Sequence, residues 1–226
     1  MMKIFSISLL LIAVVSGLGQ KPEAAKRSVA WKTDDLKKIG GQNVEVLGDP
    51  KIVKTDRGKA IHFDGLSDGI FISNNPIMGA EAFTIEAVFR PEAGGGAEQR
   101  WLHIEDTEND ERRSLLEIRL SGNQWFLDTF IKSGDDRSAI YAENFKHPTD
   151  KWYHIALVFD GQEMRHYVDG KLEMSGKMTI KPFGRGKTSI GVRQNKVYWF
   201  KGSVLRARFT NRALEPSEFM KNSRIS

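Results

Sequence analysis

The sequence contains no cysteine, and this absence restricts how the protein can be held together. Without disulfides the fold must rely on packing alone, or on a metal. A lipid anchor attached to cysteine is excluded as well. The sequence also lacks the basic runs that nucleic-acid-binding arms use, so nucleic acid is not an expected partner. The 34 lysines and arginines exceed the 29 aspartates and glutamates by five, a mild excess that is compatible with an acidic polysaccharide or a cell surface.

Long apolar runs are missing except at the N-terminus. Met1-Met2-Lys3 gives a positive start, residues 4–15 are apolar apart from two serines, and small residues follow at Gly17 and Gly19. This three-part pattern predicts a secretory signal over residues 1–19 and a secreted, periplasmic or extracellular protein without a transmembrane segment after cleavage. The alternative, a membrane anchor, would need about 20 apolar residues. Cleavage would remove only Lys3 among the charged residues and leave 33 basic against 29 acidic residues, a net charge of +4.

No long helical period and no P-loop or dinucleotide glycine pattern is present. Instead, short apolar runs recur, each broken by Gly, Asp, Asn or Pro, and FTIEAVFRP (83–91) alternates apolar and polar residues with a period of two. The spacing predicts an all-β, two-sheet antiparallel jelly-roll sandwich of one domain over residues 58–226, on which residues 20–57 pack. VEVLGDPKIV (44–53) is interpreted as two strands around a turn. Only residues 214–222 look helical, which predicts a short C-terminal helix beginning near Pro216.

The stretch KWYHIALVFDGQEMRHYVDGKLEMSG (151–176) predicts strands joined by tight turns. Both faces of the strand 152–160 are largely apolar, which indicates a central strand covered on both sides. We therefore interpret His154 as a structural histidine, and the Asp-Gly pairs at 160–161 and 169–170 as turn formers. His166 and Tyr167 point to opposite faces, so they cannot form one site by themselves.

Three groups of segments carry a family resemblance: GKAIHFDGLSDGIFI (58–72) followed by FTIEAVFRP, KWYHIALVFDGQEMRHYVDGKL (151–172), and TSIGV (188–192) followed by KGSVLRARFTNRALEPSEF (201–219). In this order they resemble the laminin-G-like domains of the concanavalin A-like lectin/glucanase superfamily over about residues 40–222. The resemblance implies a two-sheet jelly roll with a concave face, a fold that hosts lectins, adhesive modules, lyases and glucanases. Many such domains carry acidic residues just before the closing NRAL, where this sequence has VLRAR (204–208).

The resemblance also implies two kinds of site. Calcium is the one cofactor it allows, and Asp64 and Asp68 are its best candidate ligands, with Asp160 behind them, although turn formation is the favoured interpretation of these aspartates. A lyase of this superfamily would use arginine, histidine and tyrosine on the concave face. Candidate ligand-binding residues are His103 and Glu105 on one strand face, Glu117 and Arg119 on another, and the aromatic residues Tyr141, Tyr198 and Trp199, with Arg137, Trp101 and Trp125 as further possibilities.

The acidic run EDTENDE (105–111) is interpreted as a solvated loop, because its carboxylates do not alternate with apolar residues as on a glucanase strand. No residue is therefore assigned a catalytic role. The sequence favours an exported, non-catalytic binding module for a glycan or an extracellular protein surface. A polysaccharide-active enzyme, a lyase rather than a hydrolase, and a structural or adhesive surface protein remain as alternatives.

Overall fold

The computed structural model describes residues 28–109 and 111–221, and these residues form two antiparallel sheets packed face to face. The strands are β1 (Ser28–Lys32), β2 (Lys38–Ile39), β3 (Gln42–Leu47), β4 (Lys51–Thr55), β5 (Gly58–Asp64), β6 (Gly69–Ile72), β7 (Phe83–Pro91), β8 (Glu98–Asp106), β9 (Arg112–Ser121), β10 (Gln124–Ser133), β11 (Asp136–Tyr141), β12 (His147–Pro148), β13 (Tyr153–Phe159), β14 (Glu163–Val168), β15 (Lys171–Lys177), β16 (Gly186–Ile190) and β17 (Lys201–Thr210).

The first sheet has the order β15-β14-β13-β7-β17-β5-β4, with β1 added beside β17. The second sheet has the order β11-β10-β9-β8-β16-β6-β3-β2, with β12 added beside β10. The predicted all-β jelly-roll sandwich is therefore confirmed. The two strands predicted in 44–53 are also present, but β3 joins the second sheet and β4 the first, so the turn between them crosses from one sheet to the other.

The period of two along β7 directs its apolar residues into the core. Phe83, Ile85, Ala87 and Phe89 belong to the buried cluster between the sheets. Phe89 lies 5.1 Å from the ring of Trp101 and 5.2 Å from the ring of Trp125, measured between ring centroids. Both tryptophans are fully buried, so these two candidates for sugar stacking belong to the core instead.

The hairpin stretch 151–176 folds as predicted. His154 is buried on the outer face of the first sheet, with its Nε2 3.0 Å from Glu86 Oε1. Asp160 accepts hydrogen bonds from the N–H groups of residues 162 and 163, and Asp169 and Gly170 have the positive φ of a tight turn. His166 faces the second sheet, where Thr129 Oγ1 lies 3.0 Å from its Nδ1, whereas Tyr167 packs outward against Phe219.

The C-terminal segment is more extended than the sequence predicts. Its only helical part among the described residues is one 3-10 turn, Pro216–Glu218, with Glu215 as the N-cap residue. A longer helix does not form because the sheet takes up the backbone groups that it would need. Glu218 and Lys221 carbonyls accept hydrogen bonds from Arg208 and Arg206, and Met220 N–H donates to Glu86. Arg206 and Arg208 thus hold this segment against the first sheet.

The segment from Ser28 to Thr55 contributes four strands, β1 to β4, which form backbone hydrogen bonds with other strands of the two sheets. The predicted signal at residues 1–19 lies outside the described residues. Across 28–109 and 111–221, no helix is long and apolar enough to cross a membrane.

Candidate functional site

The outer face of the second sheet carries a pocket of about 220 Å³ lined by charged side chains. We call it the arginine pocket. Its lining consists of Arg100, Arg113, Leu115, Glu117, Arg119, Asp128, Phe130, Ala139 and Arg193. Strands β8 to β11 supply all of these residues except Arg193, which lies in the loop between β16 and β17. Charged groups that face outward from the middle of a sheet and are nevertheless buried need partners, because desolvating a charge is costly.

The pairing within the pocket follows the strand register. Glu117 lies opposite Arg100 on one side and Asp128 on the other. The Nε atom of Arg100 is 3.0 Å from Glu117 Oε1, and its Nη1 is 2.8 Å from Glu98 Oε2. Arg119 donates to Asp128 Oδ2 through Nε at 2.7 Å and also pairs with Glu98. Each of these two arginines is therefore fixed by two carboxylates, which makes them rigid hydrogen-bond donors.

A β-bulge brings Arg100 into the pocket. The register of β8 and β9 shifts between Arg100 and Leu102, so Trp101 enters the core while Arg100 turns outward. Strict alternation counted back from His103 would place Trp101 outward and Arg100 inward. This reversal explains why the sequence pattern does not reveal Arg100 as a site residue.

The loop 191–200 forms one wall of the pocket and is fastened to β8. Tyr198 carbonyl accepts a hydrogen bond from Arg100 N–H at 2.9 Å, and the Arg100 guanidinium lies 3.6 Å from the centroid of the Tyr198 ring. Gln194 N–H donates to His103 Nδ1 at 3.0 Å. Lys196 and Tyr198 both have a φ of 61°, a left-handed conformation that is uncommon for non-glycine residues.

His103 fastens this loop to β8. It is fully buried, and burial together with Arg193, Arg113 and Arg100 lowers its pKa to about 3. Because Nδ1 accepts a hydrogen bond, the proton of the neutral ring sits on Nε2, which faces Glu105 Oε2 at 3.4 Å.

The sequence-predicted residues divide into three groups. His103, Glu105, Glu117 and Arg119 lie on the same outer face of adjacent strands, which the sequence treated as two separate faces. Tyr141 lies beside them, with its ring centroid 5.7 Å from the Arg119 guanidinium, and Tyr198 lies on the loop. Trp199 is half-buried and does not line the arginine pocket, and Arg137 is exposed outside it.

The predicted calcium ligands are used by the turn that contains them. Asp64 accepts hydrogen bonds from the N–H groups of residues 66, 67 and 68, which hold its pKa at about 2 against the effect of burial. Asp68 accepts from the N–H groups of Asp49 and Asp64. No group of three or more potential metal ligands occurs among residues 28–109 and 111–221. Calcium at Asp64 and Asp68 stays a prediction.

The acidic run 105–111 is not wholly solvated as predicted. Asp106 is buried and accepts hydrogen bonds from the N–H groups of Glu108, Asn109 and Gly184, so it shapes the loop from inside. Its neighbour Glu105 belongs to β8, and Asp110 lies outside the described residues. Asp106 can be buried because backbone N–H groups take the place of water as the hydrogen-bond donors to its carboxylate.

The buried carboxyl group of Glu117 should make the stability of the protein depend on pH. Burial, aided by the negative charge of Asp128, raises its pKa from 4.5 to about 7, despite the opposing effect of Arg100. A carboxyl group with a raised pKa in the folded state binds its proton more tightly there, so its contribution to stability is lost as pH rises from about 4.5 to about 7. We expect Glu117→Gln to remove up to about 3 kcal/mol of this loss, at 1.36 kcal/mol per pKa unit.

The test is the free energy of unfolding of both proteins in denaturant at pH 5 and pH 8. His103 and His166, whose pKa values are lowered to about 3, change stability in the opposite direction below pH 6.5, so only the difference between the two proteins isolates Glu117. An identical pH profile for both proteins would contradict the raised pKa.

Comparison with known proteins defines the class of this chain. A family model described as the concanavalin A-like lectin/glucanases superfamily matches residues 64–219, most of the chain. The chain belongs to this superfamily, and within it to the Laminin_G_3 family whose model gives the match. The predicted family resemblance is thereby confirmed. No curated protein sequence matches the chain significantly.

Several solved structures share the fold. Domain 4 of AbnA, a GH43 extracellular arabinanase from Geobacillus stearothermophilus determined in complex with arabinotriose, has a TM-score of 0.63 and 18% identity, covering 84% of this chain and 94% of that domain. The binding domain of Paraclostridial Mosquitocidal Protein 1 has a TM-score of 0.61 and 18% identity, covering 84% and 50%. A botulinum neurotoxin serotype D/C binding domain has a TM-score of 0.59 and 13% identity, also covering 84% and 50%. The chain thus spans about half the length of these toxin domains. At such identities the likeness shows the fold alone.

Proposed function

We propose that this protein is an exported, non-catalytic binding module that recognises a glycan through the outer face of its second sheet. The observation that carries the proposal is the arginine pocket, where carboxylates hold Arg100 and Arg119 in fixed positions beside partly exposed aromatic rings. Rigid charged donors suit sugar hydroxyl groups, and aromatic faces suit the apolar faces of sugar rings. Two domains with the same fold support a binding role, the arabinanase domain determined in complex with arabinotriose and the binding domain of the mosquitocidal protein.

The absence of catalysis is part of the proposal. The pocket contains ionisable groups, but its buried histidine is neutral and engaged with the loop, and both lining carboxylates face arginines. A lyase needs a base that reaches the substrate proton, and a glycosidase needs a pair of carboxylates on either side of the scissile bond. The way these groups are paired with arginines and with the loop supports the non-catalytic proposal.

Tyr141 offers a test of the binding face, because it is 42% exposed and lies next to Arg119. A glycan array first identifies ligands of the intact protein. We expect Tyr141→Ala to weaken binding of the best ligand roughly threefold to tenfold in calorimetric titration, which corresponds to the 0.5–1.5 kcal/mol that an aromatic contact contributes.

The matched control is Leu172→Ala, since Leu172 is 51% exposed on β15 of the first sheet and should leave affinity unchanged. If Leu172→Ala loses binding and Tyr141→Ala does not, the glycan-binding site lies on the first sheet and the proposed site is wrong. Rising ultraviolet absorbance during incubation with the ligand would reveal unsaturated sugar ends and refute the non-catalytic assignment. Failure to bind any glycan would favour recognition of a protein surface.

Export is proposed from the N-terminal pattern of residues 1–19. The related arabinanase is described as extracellular. Mass measurement of the protein recovered outside the expressing cell tests this part, and an intact N-terminus or retention inside the cell would contradict it.

A further inference from the structure

The arginine pocket has more positive than negative charge among its lining residues. Four arginines line it against two carboxylates, Glu117 and Asp128. One of these carboxylates is also easily neutralised, because burial raises the pKa of Glu117 to about 7. Glu98, which pairs with Arg100 and Arg119, and Glu105, which attracts Arg193, also supply negative charge, so what the pocket offers an anion is the Arg193 guanidinium rather than a large net positive charge.

Arg193 is held less tightly than two other arginines of the pocket. Arg100 and Arg119 are held by Glu98, Glu117 and Asp128. Among the residues that the structure describes, no hydrogen bond or ion pair involves the Arg193 guanidinium, although this side chain is only half-exposed and lines the pocket. A partly desolvated guanidinium that lacks a directly paired carboxylate is unfavourable, and guanidinium groups in such positions commonly recognise carboxylate or phosphate-like anions.

Like charges surround Arg193. Burial and the positive charges of Arg113 and Arg100 hold its pKa below the usual value, against the weaker attraction of Glu117 and Glu105. An anion placed here would relieve this repulsion and form charge-assisted hydrogen bonds at the same time.

The protein keeps Arg193 in this position by several contacts of its loop. The next residue donates its N–H to His103, and Gly191 N–H donates to Trp101 carbonyl at 3.0 Å. Gly191 has a φ of 87°, and a Cβ at this position would lie 2.3 Å from the Phe63 ring, so only glycine allows this close approach. The loop is thus tied down before any ligand arrives, which lowers the entropic cost of binding.

We infer that the arginine pocket binds the anionic group of an acidic glycan, a carboxylate or a sulfate ester, with Arg193 as its principal contact. This inference rests on the proposed glycan-binding function and names its ligand class. The volume of about 220 Å³ is below the roughly 300–1,000 Å³ of sites for drug-sized ligands, so it suits one charged sugar unit of a longer chain.

The experiment compares three trisaccharides by calorimetric titration of the whole protein. They are trigalacturonate, its fully methyl-esterified form, and a trigalactose carrying 6-O-sulfate groups. We expect one of the two anionic forms to bind about tenfold or more tightly than the neutral ester, because a hydrogen bond to a charged group contributes about that factor. The form that binds more tightly distinguishes carboxylate from sulfate.

Arg193→Gln should reduce this preference at least fivefold, whereas Arg193→Lys should retain part of it. Lys171→Gln is the matched control, since it removes one positive charge from the exposed start of β15 in the first sheet and should leave the preference intact. Equal binding of neutral and anionic forms, or an unchanged preference in Arg193→Gln, would overturn the inference and leave glycan binding standing. If neither these trisaccharides nor any glycan on the array bind, the proposed function fails and the inference with it.

Discussion

Glu86→Ala is expected to lower the free energy of unfolding by about 3–5 kcal/mol, the cost of breaking a buried ion pair by removing one partner. Glu86 is fully buried on the outer face of β7 and has three partners. Its carboxylate lies 3.0 Å from His154 Nε2 and 2.5 Å from Arg208 Nε, and it accepts the Met220 N–H at 2.6 Å. These bonds hold the pKa of Glu86 below its usual value despite burial. The variant loses all three bonds at once, including one that fastens the C-terminal segment.

The measurement is equilibrium unfolding in urea, followed by circular dichroism. Glu81→Ala is the control, because Glu81 is exposed and its removal should change stability by less than about 0.5 kcal/mol. A Glu86→Ala protein as stable as the control would show that this cluster does not hold the first sheet and its C-terminal segment together.

Arg100→Ala is expected to have the second large effect, on both stability and binding. The substitution leaves Glu117, which is 3% exposed, without its ion-pair partner and removes the stacking on Tyr198. We expect a loss of about 3 kcal/mol in the free energy of unfolding at pH 8, where Glu117 must be charged. Glycan affinity should fall at least tenfold, since a fixed guanidinium donor and the wall formed by loop 191–200 are both lost.

The double variant Arg100→Ala/Glu117→Gln separates the two effects. Glutamine at 117 no longer buries a charge, so we expect the double variant to regain most of the lost stability while binding stays weak. Recovery of both properties would mean that Arg100 acts only by supporting the fold. Recovery of neither would mean that Glu117 is not the group that Arg100 stabilises.

The periodicity of the strands was sufficient to predict the fold, and the reasons are visible in particular residues. Alternation along FTIEAVFRP fixed the inward face of β7, and the Asp-Gly pairs fixed the turns around β14. The prediction of a C-terminal helix was wrong beyond one 3-10 turn. The backbone groups of this segment form hydrogen bonds to Arg206, Arg208 and Glu86 rather than to each other. Such competition between tertiary and local hydrogen bonds has no signature in the local pattern.

Only some residues of the candidate site were predicted from the sequence. His103, Glu105, Glu117 and Arg119 were selected from the alternation of β8 and β9, and they lie close together. Arg113 follows the same alternation on β9 and could have been found from it. Arg100 was hidden by a bulge, and Arg193 lies in a loop without periodicity. Their position next to Glu117 depends on strand pairing that the sequence does not state.

The central claim is that a glycan binds to the outer face of the second sheet. Backbone amide chemical shifts recorded during titration with the best ligand from the array test it most directly. The expected perturbations cluster in β8 to β11 and in loop 191–200, with the largest changes near Arg193 and Arg119. Perturbations confined to the outer face of the first sheet, around His154 and Phe219, would contradict this account.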